Sequence, residues 1–353
     1  MNVIKIDKKT WTEGIGRLQG FYRLIGPVKD GDFYQFKALE KGESPDFSML
    51  NTRLSPKSII YPQSEVMFEY SLDETRDDCH VIKEIQVEYS PQVVFGIRPC
   101  DAKAFLLVQR NFETPEYKDP YWIRLYETTA LIGLACNTPC STCFCVDAGS
   151  GPFNDAGLDI LLIDAGEYYY ARVNTAKGEK ILKDSGWSEE TETKDAELAI
   201  ENLKQAAENR ITARISTDRL KEKGVPDLFN APFWEDVAFA CINCGTCTYV
   251  CPTCWCFDIQ DEVRGTDGVR MRNWDSCMYP LFTLHGSGHN PRDAKTKRLR
   301  QRFMHKLKYY VDKYNDGIQC VGCGRCINLC PVNIDIRKIC EAMNGFEPEQ
   351  KSI

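Results

Sequence analysis

The chain has 353 residues, which is more than one small disulfide-stapled module and enough for two or three domains with their own cores. With 44 basic and 51 acidic residues its net charge is −7, which excludes a polycation that binds nucleic acid. No apolar stretch approaches the roughly 18 residues of a membrane span, and residues 1–9 lack the apolar core of an export signal, so we expect a cytoplasmic protein without membrane insertion.

Residues 1–183 predict a mixed α/β domain. Apolar runs that are punctuated by Pro, Gly and Asp predict strands at 84–89, 92–97, 130–134, 159–164 and 168–173. Residues 102–109 have the composition of a helix. Cys100 is therefore expected in a strand-to-helix turn.

The rest of the chain predicts a different organisation. Residues 184–223 are charged, rich in Ala and Glu and poor in Gly and Pro, which predicts surface helices that link two domains. Residues 224–353 predict short helices and turns around cysteines, with one longer helix at 294–313. The predicted fold class is α+β, in which an N-terminal mixed α/β domain is followed by a mostly helical, ferredoxin-like domain.

The predicted helix at 294–313 is strongly cationic although the whole chain is acidic. A run of like charges usually forms a solvated face, but this one directly precedes a group of cysteines. Partner docking or compensation of negatively charged metal clusters therefore competes on equal terms with a solvated face. The cations are Arg292, Lys295, Lys297, Arg298, Arg300, Arg302, Lys306 and Lys308.

Eighteen cysteines are the unusual feature of the composition. In a large chain without an export signal, ordinary thiols stay reduced, so metal binding is the leading explanation for so many of them. Their positions are Cys79, Cys100, Cys136, Cys140, Cys143, Cys145, Cys241, Cys244, Cys247, Cys251, Cys254, Cys256, Cys277, Cys320, Cys323, Cys326, Cys330 and Cys340.

Two stretches repeat the spacing of the bacterial 4Fe-4S run, in which Cys-x2-Cys-x2-Cys-x3-Cys is followed by proline. The first extends from Cys241 to Pro252 and the second from Cys320 to Pro331. The two-residue gaps let three thiolates curl around one face of a cubane, and the longer gap turns the fourth cysteine away. In two-cluster ferredoxins that fourth cysteine ligates the other cluster, so we expect the runs to pack as a crossed pair.

The crossed arrangement assigns four thiolates to each of two 4Fe-4S clusters. Cluster 1 is assigned to Cys241, Cys244, Cys247 and Cys330. Cluster 2 is assigned to Cys320, Cys323, Cys326 and Cys251. Zinc is the alternative, but zinc sites use paired cysteines and leave the third cysteine and the trailing Cys-Pro of each run unexplained.

Further motifs point to a specific family. In the second half they are Cys-Pro-Thr-Cys-Trp-Cys-Phe-Asp-Ile-Gln-Asp at 251–261, Arg-Met-Arg-Asn-Trp-Asp-Ser-Cys at 270–277, Gly-His at 288–289, His-Lys at 305–306 and the run at 320–326. In the first half they are Gly-Ile-Arg-Pro-Cys-Asp at 96–101, Asp-Pro-Tyr at 119–121, Cys136 and Cys-Phe-Cys at 143–145. On these motifs, most of the chain resembles the β subunits of soluble nickel–iron hydrogenases with sulfur-reductase activity and the A subunit of the anaerobic siroheme sulfite reductase.

The resemblance implies an iron–sulfur electron-transfer subunit. Its implied partners are a flavoprotein subunit that oxidises NAD(P)H and, at the other end, a hydrogenase small subunit or a sulfite or heterodisulfide reductase subunit. It also implies a third 4Fe-4S cluster, because the family pattern places thiols at Cys100, Cys136, Cys143 and Cys145. Reduced structural thiols or a zinc site are the alternative for this group, and Cys140, which departs from the family pattern, could ligate together with Cys143.

The other cysteines complete no site from spacing alone. Cys254, Cys256 and Cys277 lack a fourth ligand unless His289 or Asp275 joins them, and they are interpreted as residues that surround a cluster. Cys79 and Cys340 are interpreted as ordinary buried thiols.

No catalytic residue is predicted. Gly14, Gly16 and Gly20 depart by one residue from the dinucleotide-binding fingerprint and are expected to form a turn. The four histidines offer no nucleophilic pair by spacing. The leading hypothesis is a non-catalytic subunit of an oxidoreductase complex, and the alternative is a flavin-binding coenzyme dehydrogenase subunit with its own catalytic site.

Overall fold

The computed structural model describes residues 3–187, 189–190 and 193–348. Its strands are β1 (Val3–Asp7), β2 (Arg23–Asp30), β3 (Phe33–Ala38), β4 (Ser64–Ser71), β5 (Lys83–Glu84), β6 (Gln92–Ile97), β7 (Thr129–Leu134), β8 (Ile160–Asp164), β9 (Tyr168–Val173), β10 (Glu189–Glu190), β11 (Phe257–Arg264) and β12 (Asp267–Trp274). The strands and helices together confirm the α+β fold class.

The helices follow the same chain order. They are α1 (Lys8–Leu18), α2 (Lys57–Ile60), α3 (Pro99–Phe112), α4 (Pro120–Thr128), α5 (Ala176–Ser185), α6 (Thr193–Asn209), α7 (Val225–Phe229), α8 (Phe233–Phe239), α9 (Thr246–Tyr249), α10 (Lys295–Met304), α11 (Tyr310–Tyr314), α12 (Arg325–Asn328) and α13 (Ile336–Gly345). A π-helical turn, His305–Tyr309, joins α10 to α11. Among the described residues, no helix is long and apolar enough to cross a bilayer.

The larger sheet has the strand order β10-β1-β9-β8-β7-β6-β2-β3. Its central strands β2, β6, β7 and β8 are parallel, and every residue of β6 and β7 is buried. Such continuous apolar strands are typical of a parallel sheet with both faces covered. One face packs around Val94, Phe105 and Leu131, and the other packs around Phe95 and Ile132.

The smaller sheet joins distant parts of the chain, in the order β11-β12-β4-β5. The hairpin β11–β12 pairs with β4 through β12, which attaches residues 257–274 to the N-terminal half. The expectation of only short helices and turns in this region is therefore wrong. A signal was present, because Phe257, Ile259 and Val263 alternate with polar residues ahead of Gly265, which forms the hairpin turn with φ +64°.

Most of the predicted N-terminal elements are confirmed. The strands at 92–97, 130–134, 159–164 and 168–173 correspond to β6, β7, β8 and β9, and the helix at 102–109 lies inside α3. The strand predicted at 84–89 is wrong, because only Lys83 and Glu84 pair with a neighbour. Val87, in the middle of that run, is 48% exposed. The alternation of apolar and polar residues therefore does not bury this side chain in a core.

The turn predicted for Gly14, Gly16 and Gly20 is also wrong for the first two, because both lie inside α1. Gly14 instead permits close packing, since a Cβ there would lie 2.0 Å from the indole nitrogen of Trp187. That indole stacks on Trp11, with ring centroids 4.5 Å apart. Gly14 therefore allows this pair of stacked indoles to pack against α1 in the core.

The predicted linker, residues 184–223, contains the helix α6. Ala196, Ile200 and Ala207 of α6 are buried in the core of the larger sheet, so this helix packs closely on the N-terminal half. Residues 188, 191 and 192 of the stretch lie outside the described residues. The division of the chain at residues 183 and 224 stays a prediction.

Candidate metal centres

The first thiol-lined cavity, which we call cavity 1, lies between the two ferredoxin runs. Its cysteines are Cys241, Cys244, Cys247, Cys326 and Cys330. In both runs a glycine in the left-handed conformation starts a one-turn helix that carries the third cysteine: Gly245 with φ +75° before α9, and Gly324 with φ +72° before α12. The structure thus brings together all four thiols that were assigned to cluster 1, with Cys326 beside them.

The second cavity, cavity 2, shares lining residues with the first, among them Cys326. Its cysteines are Cys251, Cys320, Cys323 and Cys326. Cys251 comes from the first run and the other three come from the second, so this is the crossed arrangement of a two-cluster ferredoxin. The structure brings together all four thiols assigned to cluster 2, while the ligand assignment itself stays a prediction.

These donor sets fit 4Fe-4S clusters. Within the described residues, no three His, Cys, Asp or Glu side chains converge on a point that a single metal ion could occupy. The thiols surround a hollow instead. A cubane takes one thiolate at each of four irons and therefore suits thiols that are spread around a volume.

Burial sets the protonation of the thiols. It raises the pKa of Cys247 to about 11 and the pKa of Cys323 to about 12. Since the thiolate is the form that ligates, metal binding at these positions releases protons. Backbone N–H groups bond directly to two of the sulfurs: the amide of Asn243 donates to Cys241 Sγ at 3.4 Å, and that of Ile334 donates to Cys330 Sγ at 3.3 Å.

The cationic helix does not form a solvated face, because four of its cations are buried. Arg302 is 2% exposed and its Nη2 donates to Cys247 O at 3.1 Å. Lys306, also 2% exposed, donates from Nζ to Thr253 Oγ1 at 2.7 Å. Both line cavity 2, so they favour the interpretation that this helix compensates the charge of anionic clusters. The other two buried cations are Arg298 and Lys308.

A third thiol group lies where β6 and β7 end. Cys100 is in the first turn of α3 and Cys136 follows β7, and since these strands are parallel neighbours, both residues reach the same edge of the sheet. Buried Arg98 links the two segments, because its guanidinium donates to Leu134 O at 3.2 Å and to Ala135 O at 3.0 Å.

The segment 140–145 brings the other thiols of this group. Cys143 lies close to Cys100 and Cys136, and Cys145 lies close to Cys136. A hydrogen bond from the Cys143 thiol lowers the pKa of Cys140 to about 6. Cys140 is thus a competing ligand, and the structure keeps both assignments open.

The third group adjoins cavity 2. Cys143 Sγ donates to Cys323 O at 3.7 Å, and the amide of Phe144 donates to Gly322 O at 2.9 Å. Gly322 has φ +64°, and a Cβ on it would lie 2.6 Å from the backbone of Cys145. Only glycine allows the two cysteine segments to approach so closely.

Replacement of Gly322 by alanine is therefore expected to lower the free energy of unfolding by about 2–5 kcal/mol, from left-handed backbone strain plus steric overlap. Chemical denaturation of the full chain measures this. Gly317→Ala is the matched control, because Gly317 also has positive φ, +101°, but has open space around it. The control is expected to show the strain alone, about 1–2 kcal/mol. Equal losses in both variants would contradict the close approach.

A buried ion pair connects the third group to the second run. Arg325 and Asp101 are 4% and 1% exposed, and their side chains form two hydrogen bonds, of 2.6 and 2.7 Å. Arg325 stands between Cys323 and Cys326, and Asp101 follows Cys100. Both residues lie inside the family motifs, but nothing in the sequence pattern pairs them.

The remaining cysteines divide into two sets. Cys340 is buried in the C-terminal core, where its Sγ donates to Ser216 O at 3.5 Å, and Cys79 is half-buried beside β4. Cys254, Cys256 and Cys277 instead form contacts among themselves and with Cys251.

Comparison with known proteins agrees with this picture. Residues 240–334, which include both ferredoxin runs, match the profile of the family described as 4Fe-4S dicluster domain. The chain is 30% identical over 348 residues to sulfhydrogenase 2 subunit beta of Pyrococcus furiosus, and the alignment covers 96% of this chain and 97% of that protein. No solved structure gives a significant match.

Proposed function

Because the chain belongs to the family of hydrogenase β subunits, in which it is an iron–sulfur electron-transfer subunit, we propose that it relays electrons inside a multisubunit oxidoreductase complex. One end of the relay receives electrons from a flavoprotein subunit that oxidises NAD(P)H. The other end serves a hydrogenase small subunit or a sulfite or heterodisulfide reductase subunit. The adjoining thiol groups are the observation that carries this proposal.

The proposal assigns twelve ligands to three 4Fe-4S clusters. They are Cys241, Cys244, Cys247 and Cys330 for cluster 1, Cys320, Cys323, Cys326 and Cys251 for cluster 2, and Cys100, Cys136, Cys143 and Cys145 for cluster 3. Contacts between the groups support a continuous path, since Cys326 lines both cavities and Cys143 bonds to the Cys323 carbonyl. When bound, the clusters accept and release single electrons.

The surrounding residues suit that role. Leu299, Phe303 and Ile336 give cavity 1 an apolar lining. Arg302 and Lys306 supply positive charge to offset the anionic clusters. Charge, hydrogen bonds to sulfur and burial are the features that set iron–sulfur potentials, so these side chains hold and tune the centres without touching a substrate.

The surface next to cavity 1 has exposed apolar side chains that are suited to contact with a partner protein. Cys244 is exposed, and two apolar residues that shortly precede it in the chain, Phe239 and Ile242, are 84% and 63% exposed. Large apolar side chains beside a redox site favour a protein contact there. We propose this end of the relay as one docking point within the complex.

The isolated full-length chain, loaded anaerobically, is expected to lose its iron–sulfur absorption on addition of dithionite. NADH or NADPH is expected to have no such effect until the flavoprotein partner is added, because the proposal places the oxidation of NAD(P)H on that partner. Visible spectroscopy under anaerobic conditions measures both. Steady NAD(P)H oxidation by the pure chain, with bound flavin confirmed, would favour the alternative of a coenzyme dehydrogenase instead.

A further inference from the structure

The outermost strand of the smaller sheet, β11, has a free edge. It pairs with β12 on one side and ends the sheet on the other. Every residue of the strand is exposed. Within the part of the chain that the structure describes, its backbone pairs only with β12. The N–H and C=O groups along the outer side of β11 are therefore available to a further strand.

The features that usually protect an edge strand are weak in β11. Proline, a bulge or a short strand commonly prevents pairing at an edge. β11 is eight residues long, its sequence contains no proline, and its register with β12 is continuous. Three apolar side chains share one of its faces, with Phe257 40%, Ile259 47% and Val263 51% exposed. The charged residues of the strand therefore decide which second strand fits.

Pairing of β11 with its own copy allows few registers. In an antiparallel pair, two opposite residues either both exchange backbone hydrogen bonds or both do not. Since the same edge is used in both copies, odd-numbered residues oppose odd-numbered ones and even-numbered residues oppose even-numbered ones. One residue lies at the two-fold axis and opposes itself. Each register is therefore defined by its axis residue.

The register with Asp261 at the axis is complementary in charge and in apolar contacts. Asp258 of each copy then opposes Arg264 of the other, and the two-fold axis makes this pair occur twice. Ile259 likewise opposes Val263 twice. Opposite charges and branched apolar side chains that lie directly across from each other stabilise an antiparallel pair. The edge of β11 therefore complements itself.

The residue at the axis is already neutralised within its own chain. Asp261 accepts two hydrogen bonds from the guanidinium of Arg270, at 2.8 and 2.9 Å. Two ion pairs, rather than two bare carboxylates, would thus meet at the axis. The neighbouring register, with Gln260 at the axis, places Asp258 opposite Glu262, and like charges in opposite positions destabilise a strand pair. Charge therefore favours Asp261 as the axis.

We propose that β11 pairs with β11 of a second copy of this chain, about a two-fold axis at Asp261. The pairing joins two four-stranded sheets into one continuous sheet. A second copy is favoured over a strand of another subunit because the charge pattern of residues 258–264 complements itself. The inference concerns the assembly of the chain and requires none of the cluster assignments.

Exchange of charges at the edge tests the register. The full-length chain, purified anaerobically, is expected to sediment as a dimer in analytical ultracentrifugation. Arg264→Asp and Asp258→Arg each turn both opposite-charge pairs into like-charge pairs. Each is expected to raise the dimer dissociation constant about tenfold or more. The double variant, Asp258→Arg with Arg264→Asp, restores opposite charges and is expected to restore the dimer.

Glu69→Arg is the matched control, because Glu69 is an exposed acid on β4, inside the same sheet. It is expected to dimerise like the unmodified chain. A chain that is monomeric at every concentration would overturn the proposal, as would a dimer that both charge reversals leave unchanged. A double variant as weak as the single ones would overturn the register. If one reversal prevents folding, judged by circular dichroism, the other decides.

Hydrogen exchange of the backbone amides identifies the occupant of the edge. Amides of residues 258–264 are expected to exchange more slowly as the concentration of the chain rises, measured by mass spectrometry of peptides from this segment. Arg264→Asp is expected to remove that slowing. Slow exchange that requires an added partner subunit and does not depend on the concentration of this chain would assign the edge to another protein and overturn the pairing of two copies.

Discussion

Replacement of Cys326 by serine is expected to remove at least one cluster of the ferredoxin-like domain. Cys326 lines both cavity 1 and cavity 2, and it is one of four thiols around the second. Serine is a poorer iron ligand than cysteine, so cluster 2 loses one of its four protein ligands. The cavity of the neighbouring cluster also loses one of its lining thiols. Iron and sulfide analysis, with the EPR spectrum of the dithionite-reduced chain, measures the loss.

Cys79→Ser is the control for that variant, because Cys79 lies beside β4 and belongs to no thiol group. Its iron content and spectrum are expected to equal those of the unmodified chain. Unchanged iron and an unchanged spectrum in Cys326→Ser would show that the ligand assignment of cluster 2 is wrong.

The second large effect is expected from Asp101→Asn. This change leaves the Arg325 guanidinium, which is 4% exposed, without its counter-charge. Loss of one partner of a buried ion pair typically costs about 3–5 kcal/mol, since the remaining charge stays desolvated. The midpoint of chemical denaturation is expected to fall accordingly. If the third thiol group holds the proposed cluster 3, its separation from the second run should make that cluster the first to be lost.

Asp316→Asn provides the comparison, because Asp316 pairs with Arg110 at the surface, where the two side chains are 41% and 38% exposed. An exposed pair contributes at most about 1 kcal/mol. A similar loss of stability in both variants would show that the Asp101–Arg325 pair does not connect the two halves of the chain in the way described.

Some of this protein is determined by the sequence alone. The repeated spacing from Cys241 and from Cys320 predicts two thiol groups in crossed arrangement, and both cavities have that composition. The spacing within each run is enough for this prediction, because the ligand positions of a cubane fix how far apart the cysteines of a short segment can lie. The apolar runs of β6 and β7 were likewise readable, since both strands are buried on both faces.

Other features depended on contacts between residues far apart in the chain. The Asp101–Arg325 pair joins positions 224 residues apart, and Lys57 Nζ reaches the carbonyl of Cys254 across 197. The spacing of apolar and polar residues indicates whether a segment is a helix or a strand, but it does not indicate which segments pack against each other. The charge run containing Arg302 shows this most clearly, because the same cations would form a solvated face on an isolated helix, and only packing against the cysteine runs buries them. Burial beside thiols is a property of the tertiary structure, since it depends on what the folded chain places around each side chain.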